Sequence, residues 1–591
     1  MFLARTARGV VYSRDPCTRL SMARKPTRAA LSDRTSRQER RLLSSESRSN
    51  SETSRSRGLQ GLILGAGITL AVGFYVQKNG LLRLDSNTID PGVSVKPTKT
   101  VKHQTLPQHP NASQYASKEE VQMAISELRE ALPQDEAVTT DQDTLKLYGH
   151  SENSYHPTSP HSVVVHVQST DEVVKVVNIA RKYRVPIVPY SGATSLEGHF
   201  SGYPTGDICL DMSAMDKILE IHESDGDLVC QAGARWDDIN HILAEKEIPL
   251  FFPLDPGPGA TIGGMIGTGC SGTNAVRYGT AKSEWFLNIT AVLPNGKVIK
   301  TRRRARKSSA GFDLTKIFIG AEGTLGIVTE ATLRLAPVVP SKVAMAQFPN
   351  VENAVSAVQE ILNTPHGPHI QCVELLDDNM MAAINSAGLV SKSYPVSDTL
   401  FFKLQGDEAA ISATARAVQG IVARHSGSRF VFAETDEEGA ELWENRKYAL
   451  TSTLASVEGS RCWTTDVCVP VSRLPELVYE TKKDLAQSKL QSTIVGHVGD
   501  GNFHALILFK NDDELKVVGD AVHRLIRRAI ALDGTCTGEH GVGVGKKEYL
   551  IDELGEGTVE LMRTIKNAVD PLNILNPNKL YPDLPTNGGK K

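Results

Sequence analysis

Two short segments near the C-terminus hold the residues best suited to chemistry: His497 and His504 in GHVGDGNFH, and Glu539 and His540 in GTCTGEHGVGVGK. Two imidazoles and a carboxylate suit a borderline divalent cation, and a further histidine beside them could act as a base. Gly499, Asp500 and Gly501, between the first two histidines, argue against a helix. The spacing predicts a strand, a tight turn and a second strand that bring the two rings together. The plainer reading is that these are turn histidines with ordinary hydrogen bonds.

Three glycine-rich segments upstream point to an extended ligand. SGATSLEG (Ser191 to Gly198) follows an apolar strand, and its small residues let backbone N–H groups approach an anion such as a pyrophosphate. DPGPGATIGGMIGTGCSGTNAVRYGT (Asp255 to Thr280) is dense in glycine and has few residues able to fill a core, which suits a segment lying flat along a cofactor. GAEGTLGIVTE (Gly320 to Glu330) leads glycines into a strand that could offer backbone groups to a ring edge. Any one such loop is weak evidence, because many strand-to-helix turns look alike.

These segments sit in a chain of 591 residues, too long for a single core. Residues 1–57 carry 14 Lys/Arg against 5 acidic residues, a charge of +9 that leaves −12 for the remainder of a chain with net formal charge −3. An acidic body excludes general nucleic-acid binding. The Arg- and Ser-rich start predicts a mitochondrial transit peptide, with a basic tail as the alternative. Gly61 to Val76 is uncharged and, extended by Gly58, Leu59 and Gln60, approaches the length of a membrane span; residues 58–78 are expected to anchor the protein in the inner membrane, with the body in the intermembrane space. The eight cysteines form no CxxC pair, so neither a disulfide framework nor a thiolate metal site is expected.

Residues 79–115 lack periodicity and read as a linker. Ser117 and Glu120 then form a capping box ahead of Val121, Ile125, Leu128 and Leu132 on one helical face. Short apolar strands alternate with amphipathic helices from 161 onward, and the texture changes after Pro340 to glycine-poor helices and strands. The divisions are 116–338, a cofactor domain; 339–515, a substrate or cap domain; and 516–591, a C-terminal segment that completes the site.

Taken in order, PYSGATSLEG, DPGPGATIGG…CSGTNAVRYGT, RKSSAGFDLTKIFIGAEGTLGIVTE, GHVGDGNFH and GTCTGEHGVGVGK resemble the vanillyl-alcohol-oxidase-type FAD enzymes, in their D-2-hydroxyacid dehydrogenase branch. The likeness runs from about residue 140 to 580. The N-terminal arrangement, ELWENRKYAL and WTTDVCVPVS make it closest to the fungal mitochondrial members that act on D-lactate. It implies an α+β fold with a two-part PCMH-type FAD-binding domain, an α+β cap and a C-terminal helical segment. It also implies oxidation of D-lactate to pyruvate, with cytochrome c as electron acceptor. Ser191, Gly192, Ala193, Thr194 and Ser195 would hold the FAD pyrophosphate. Pro256, Gly259, Ala260, Gly263, Thr268, Cys270, Ser271 and Gly272 would lie along the nucleotide and flavin. Glu322, Ile327 and Val328 would meet the ribityl–isoalloxazine region, and Asn576 would close the site. His497, His504 and Glu539 match metal ligands, usually zinc; His540 matches the base and Arg446 the substrate carboxylate clamp.

Two departures refine the expectation. D-2-hydroxyglutarate enzymes of the branch carry a lysine where this chain has Thr464, beside Trp463, which favours a short substrate. No histidine lies inside the 191–195 loop, and His199 falls beyond it, so FAD is expected to be non-covalent. The alternatives are a D-2-hydroxyglutarate dehydrogenase or transhydrogenase and, from another class, a membrane-anchored metal-dependent hydrolase. The hydrolase would leave the glycine loops unexplained.

Overall fold

The structure, a computed structural model, describes residues 115–151 and 154–582. The expected transit peptide, anchor and nearly all of the linker lie outside the described residues. Among the described residues no helix is long and apolar enough to cross a membrane.

The Ser117 capping box opens the helix Lys118–Ala131, whose buried face is Val121, Ala124, Ile125 and Leu128. It packs with the helix Thr170–Tyr183 on a four-stranded sheet ordered Val138–Thr139, Val163–His166, Ile208–Asp211, Ile187–Tyr190. The last three strands are parallel. Parallel strands covered by helices read as continuous apolar runs, and Val163, Val164 and Val165 are fully buried. Each contributes about 1.5–3 kcal/mol relative to exposure.

An antiparallel sheet of five strands completes the cofactor half, ordered Ile218–His222, Asp227–Gln231, Ile327–Arg334, Phe286–Val292, Val298–Lys300. A turn at Pro294, Asn295 and Gly296 joins the last two strands of that order. The cap is one large antiparallel sheet running from Ser428–Phe432 through Ser341–Phe348, Asp398–Gln405, Ile370–Leu376, Ser492–Gly496 and Asn502–Phe509 to Arg461–Thr464. This is the α+β class that the sequence implied.

The division expected at 515 falls inside the helix Asp512–Ala531. Its face of Val518, Val522, Leu525 and Ile526 belongs to the cap core, so the heptad-like apolar spacing there serves the cap sheet. Beyond it the chain returns to the cofactor half. Ile574 and Leu575 enter the core of the four-stranded sheet, and Leu575 bridges Ile187 beside the strand that precedes the Ser191 loop. Lys566, 1% exposed, fixes this return by donating to the carbonyls of Thr324 and Leu575, both at 2.8 Å, and to Asp570 at 2.6 Å.

Removing the cation would leave Asp570 buried and unpaired, a situation that costs about 3–5 kcal/mol. Lys566→Met should therefore lower the urea midpoint by a corresponding amount. An unchanged midpoint would show that the buried pair does not hold the tail.

Candidate active site

A cavity of about 830 Å³ lies where the three glycine-rich loops, the cap sheet and the returning tail converge. Its walls include Ser191 to Ser195, Pro256, Ala260, Gly263, Thr268, Cys270, Gly272, Glu322, Ile327, Val328 and Asn576. Gly259 and Ser271 stand behind the wall. Gly259 donates its N–H to Asp237 at 3.3 Å, and Ser271 donates its hydroxyl to Glu539 at 2.7 Å. The Ser271 hydroxyl is thus tied to Glu539 of the expected metal set, a link that the loop sequence alone does not carry.

Glycine is needed where the loops meet. A Cβ on Gly192 would stand 2.8 Å from the carbonyl oxygen of Gly259. Gly272, at φ +134°, would place one 2.5 Å from the Asp255 backbone. Three non-glycine wall residues also hold left-handed backbone: Ala193 at φ 54°, Glu322 at 52° and Asn576 at 41°. Such strain persists where surrounding contacts over-determine it, as at ligand sites. The Ser191 hydroxyl oxygen and Asn576 Oδ1 are buried with no hydrogen-bond partner among the described residues. Unsatisfied polar atoms on an elongated, backbone-lined cavity fit a polar cofactor such as FAD.

Glu322 lines the cavity, but its carboxylate turns inward and accepts from the N–H groups of Val542 (2.6 Å) and Gly543 (2.9 Å). It therefore ties a cofactor loop to the GEHGVG loop. Asn576 donates to the carbonyl of the same Glu322 at 2.8 Å. His199, beyond the 191–195 loop in sequence, is a wall residue 3.2 Å from Glu322.

The predicted hairpin forms, with strands Ser492–Gly496 and Asn502–Phe509 and with Val495 opposite His504. The Nε2 atoms of His497 and His504 lie 3.1 and 3.3 Å from Glu539 Oε1. Both rings are held from behind, His497 Nδ1 by Glu374 at 2.8 Å and His504 Nδ1 by the Thr465 carbonyl at 2.9 Å. With Nδ1 donating outward, both Nε2 lone pairs point at one locus, which fits a divalent metal. Burial opposes charge on His497, but Glu374 and Glu539 raise its pKa well above the ordinary value, so a metal would bind at its Nε2 by displacing a proton.

His540 stacks on His504 with ring centroids 4.9 Å apart and planes 8° from parallel. Its Nδ1 is buried and unpartnered among the described residues. Burial first, then the charges of His504 and Lys546, overcome Asp466 and push the imidazole down to about 4. The shift favours the neutral imidazole.

Two residues at the centre were not singled out from sequence. Glu374 accepts from His497 and, at 2.6 Å, from Arg446 Nε, joining the two expected halves of the site. Arg446 is thus tied through Nε to a buried carboxylate, and it lines the cavity. Asp466 accepts from Asn502 Nδ2, the Thr537 hydroxyl and the N–H groups of Glu539 and His540, each at 2.8 Å. Burial would raise its pKa, yet His540, Lys546 and His504 hold it well below the usual carboxylate range. Glu374 sits in the largely apolar strand Ile370–Leu376, and that was its available signal, whereas Asp466 lies between the short strands Arg461–Thr464 and Val467–Cys468. Thr464 lines the cavity, whereas the Trp463 ring turns away and stacks on Tyr155 at 3.6 Å, so it does not narrow the substrate end.

Comparison with known proteins agrees with this fold and site. Residues 161–302 match the model of an FAD binding domain, and residues 340–580 that of the FAD linked oxidases, C-terminal domain. The chain is 44% identical to "D-lactate dehydrogenase [cytochrome], mitochondrial" of Arabidopsis thaliana, over 78% of this chain and 80% of that protein. It is also 44% identical to "D-lactate dehydrogenase [cytochrome] 1, mitochondrial" of Saccharomyces cerevisiae, over 74% and 76%, so a fungal likeness is no stronger than a plant one. A D-2-hydroxyglutarate dehydrogenase of Xanthomonas citri is more distant, at 31% identity over 71% and 89%. Among solved structures, 4-ethylphenol oxidase from Gulosibacter chungangensis has a TM-score of 0.67 at 19% identity, covering 80% of this chain and 99% of that one, a likeness of fold.

Gly192→Ala should force the Ser191 and Gly259 loops apart and yield protein with little flavin absorbance but native circular dichroism; full flavin content would show that their close approach is not needed. The matched models, the relatives and a cavity built from three glycine loops together establish that the chain is an FAD-dependent oxidoreductase belonging to the D-lactate dehydrogenase (cytochrome) family.

Proposed function

We propose that the protein oxidises D-lactate to pyruvate, with FAD held non-covalently in the cavity and electrons passed on to cytochrome c. The observation that carries this reading is the junction at Glu374, which places Arg446 and the His497–His504–Glu539 cluster on one cavity with the cofactor loops. Non-covalent binding is supported by the absence of a histidine from the 191–195 loop, although His199 does reach the wall. FAD supplies the hydride acceptor when bound.

Oxidation of a 2-hydroxy acid removes a hydride from Cα and a proton from the hydroxyl. The terminal nitrogens of Arg446 would take the carboxylate and fix which face of Cα is presented, while Glu374 holds the guanidinium in place through Nε. His540 would accept the hydroxyl proton at its unpartnered Nδ1, its ring angle set by the stack on His504. His497, His504 and Glu539 would hold a divalent metal, most simply Zn²⁺, which as a Lewis acid lowers the pKa of the hydroxyl. Thr464, in place of a lysine, leaves that wall without charge and favours the short acid over D-2-hydroxyglutarate.

The Arg-rich residues 1–57 and the apolar stretch after them support mitochondrial import and an inner-membrane anchor, with the body in the intermembrane space beside cytochrome c. The family relatives carry the mitochondrial designation in their names.

Anaerobic mixing with D-lactate should bleach the flavin in a single turnover, and L-lactate should not. His540→Asn should slow that bleaching by about a hundredfold with flavin and metal retained. Bleaching of the variant at the wild-type rate would sink its role as base. Prolonged treatment with a strong chelator should abolish D-lactate turnover while flavin remains bound, and one equivalent of Zn²⁺ should restore it. Full activity in metal-free protein would overturn the metal assignment.

A further inference from the structure

One cation on the cavity wall has no part in the reading above. Lys403 lies in the strand Asp398–Gln405, in the run LFFKLQ, and lines the cavity. Its ammonium sits 4.1 Å from the centre of the Trp443 ring. Asp255, an acid on the same wall, accepts from the Thr273 hydroxyl (2.6 Å) and the Asn274 N–H (2.9 Å); burial pushes its carboxyl up to about 6 although these donors and the Lys403 charge act against it.

Strand register puts Lys403 beside Arg446. Lys403 is directly opposite Cys372, and Glu374, which grips Arg446, is two residues further along that same strand. Residues opposite and residues two apart share a sheet face, and such diagonal neighbours have side chains about 7 Å apart at their roots. Trp443 and Arg446 are three residues apart on the helix Asp436–Lys447 and so project from one helical face. The helix and the strand therefore present Arg446 and Lys403 to one cavity, with an indole flooring the lysine.

We propose that Lys403 is a specificity-determining residue that receives a second carboxylate, so that the site takes short D-2-hydroxy acids bearing an acidic group beyond C2 as well as a monocarboxylate. This rests on the reading of Arg446 as the clamp for the first carboxylate. It assigns Lys403 the role that Thr464 cannot fill, from a different strand of the same sheet. With D-malate as the probe, C2 is oxidised exactly as in lactate. The C2–H bond breaks with its electron pair passing to the flavin, the hydroxyl proton passes to His540, the C2–O double bond forms, and the product is oxaloacetate. The second carboxylate takes no part except to bind.

The test is steady-state turnover of the FAD- and metal-loaded enzyme with D-lactate and with D-malate, in wild type, Lys403→Met and Lys403→Arg, with flavin content confirming the fold of each. A charge-assisted hydrogen bond in a half-buried site supports a change of about 10- to 100-fold. Lys403→Met should lower the ratio of kcat/KM for D-malate to that for D-lactate by that factor, chiefly through KM. Lys403→Arg should recover most of it. An unchanged ratio in Lys403→Met, or wild-type enzyme that turns over D-lactate yet neither turns over nor is inhibited by D-malate, overturns the assignment of Lys403 alone. Turnover of neither acid by wild type overturns the Arg446 reading with it.

Discussion

The site depends on one buried carboxylate. Asp466 comes from the cap, while most of its donors, the Thr537 hydroxyl and the N–H groups of Glu539 and His540, come from the loop that carries the reactive residues. A glycine-rich loop has many conformations open to it and no core of its own. Fixing each residue of such a loop costs about 1–2 kcal/mol of backbone entropy, and hydrogen bonds to a charged acceptor, at about 1.5–3 kcal/mol each, are of the size needed to offset it. Because the carboxylate is fully enclosed, the bonds are not exchanged with water.

Around this centre the other buried acids act as ties between elements remote in sequence. Glu322 joins the third glycine loop to Val542 and Gly543. Glu197, at the end of the first glycine loop, lies 3.1 Å from the Lys546 ammonium, which also reaches within 3.7 Å of Asp466. Glu374 joins His497 to the Arg446 guanidinium. Buried charges are costly unless paired, and here each pairing crosses between elements of the site, so the electrostatics act as geometry. A substitution at any of these acids should be felt at a distance from its own contacts.

Much of this was legible in the sequence because it rests on local rules. The Ser117 capping box, the parallel apolar strands and the hairpin between His497 and His504 all follow from spacing and turn chemistry. The glycine loops were legible as ligand-facing because their density has no packing explanation. The pairing of distant residues was not. Nothing near Glu374 indicates that it will meet Arg446, 72 residues away, or that Ser271 will meet Glu539 across 268. Trp463 seemed from its neighbours to belong to the substrate end, yet strand alternation sends its ring to the opposite side, onto Tyr155. Charged residues within apolar strands, as in CVELL and LFFKLQ, were the unused clue, since such a charge is tolerated only where something answers it.

The return of the tail to the four-stranded sheet has a consequence for how the protein is made. Ile187 has Leu575 as its lateral neighbour, and the cavity wall beside the Ser191 loop is closed by Asn576. On a ribosome those contacts are unavailable until nearly four hundred further residues have been synthesised, so the cofactor half must wait, incomplete, while the whole cap is threaded between its parts. Long-range closure of this kind slows folding and leaves apolar strands unshielded in the interval. Flavin retention then acts as a checkpoint on synthesis: a chain arrested anywhere before the Asn576 codon cannot close around its cofactor, however well its earlier segments have folded.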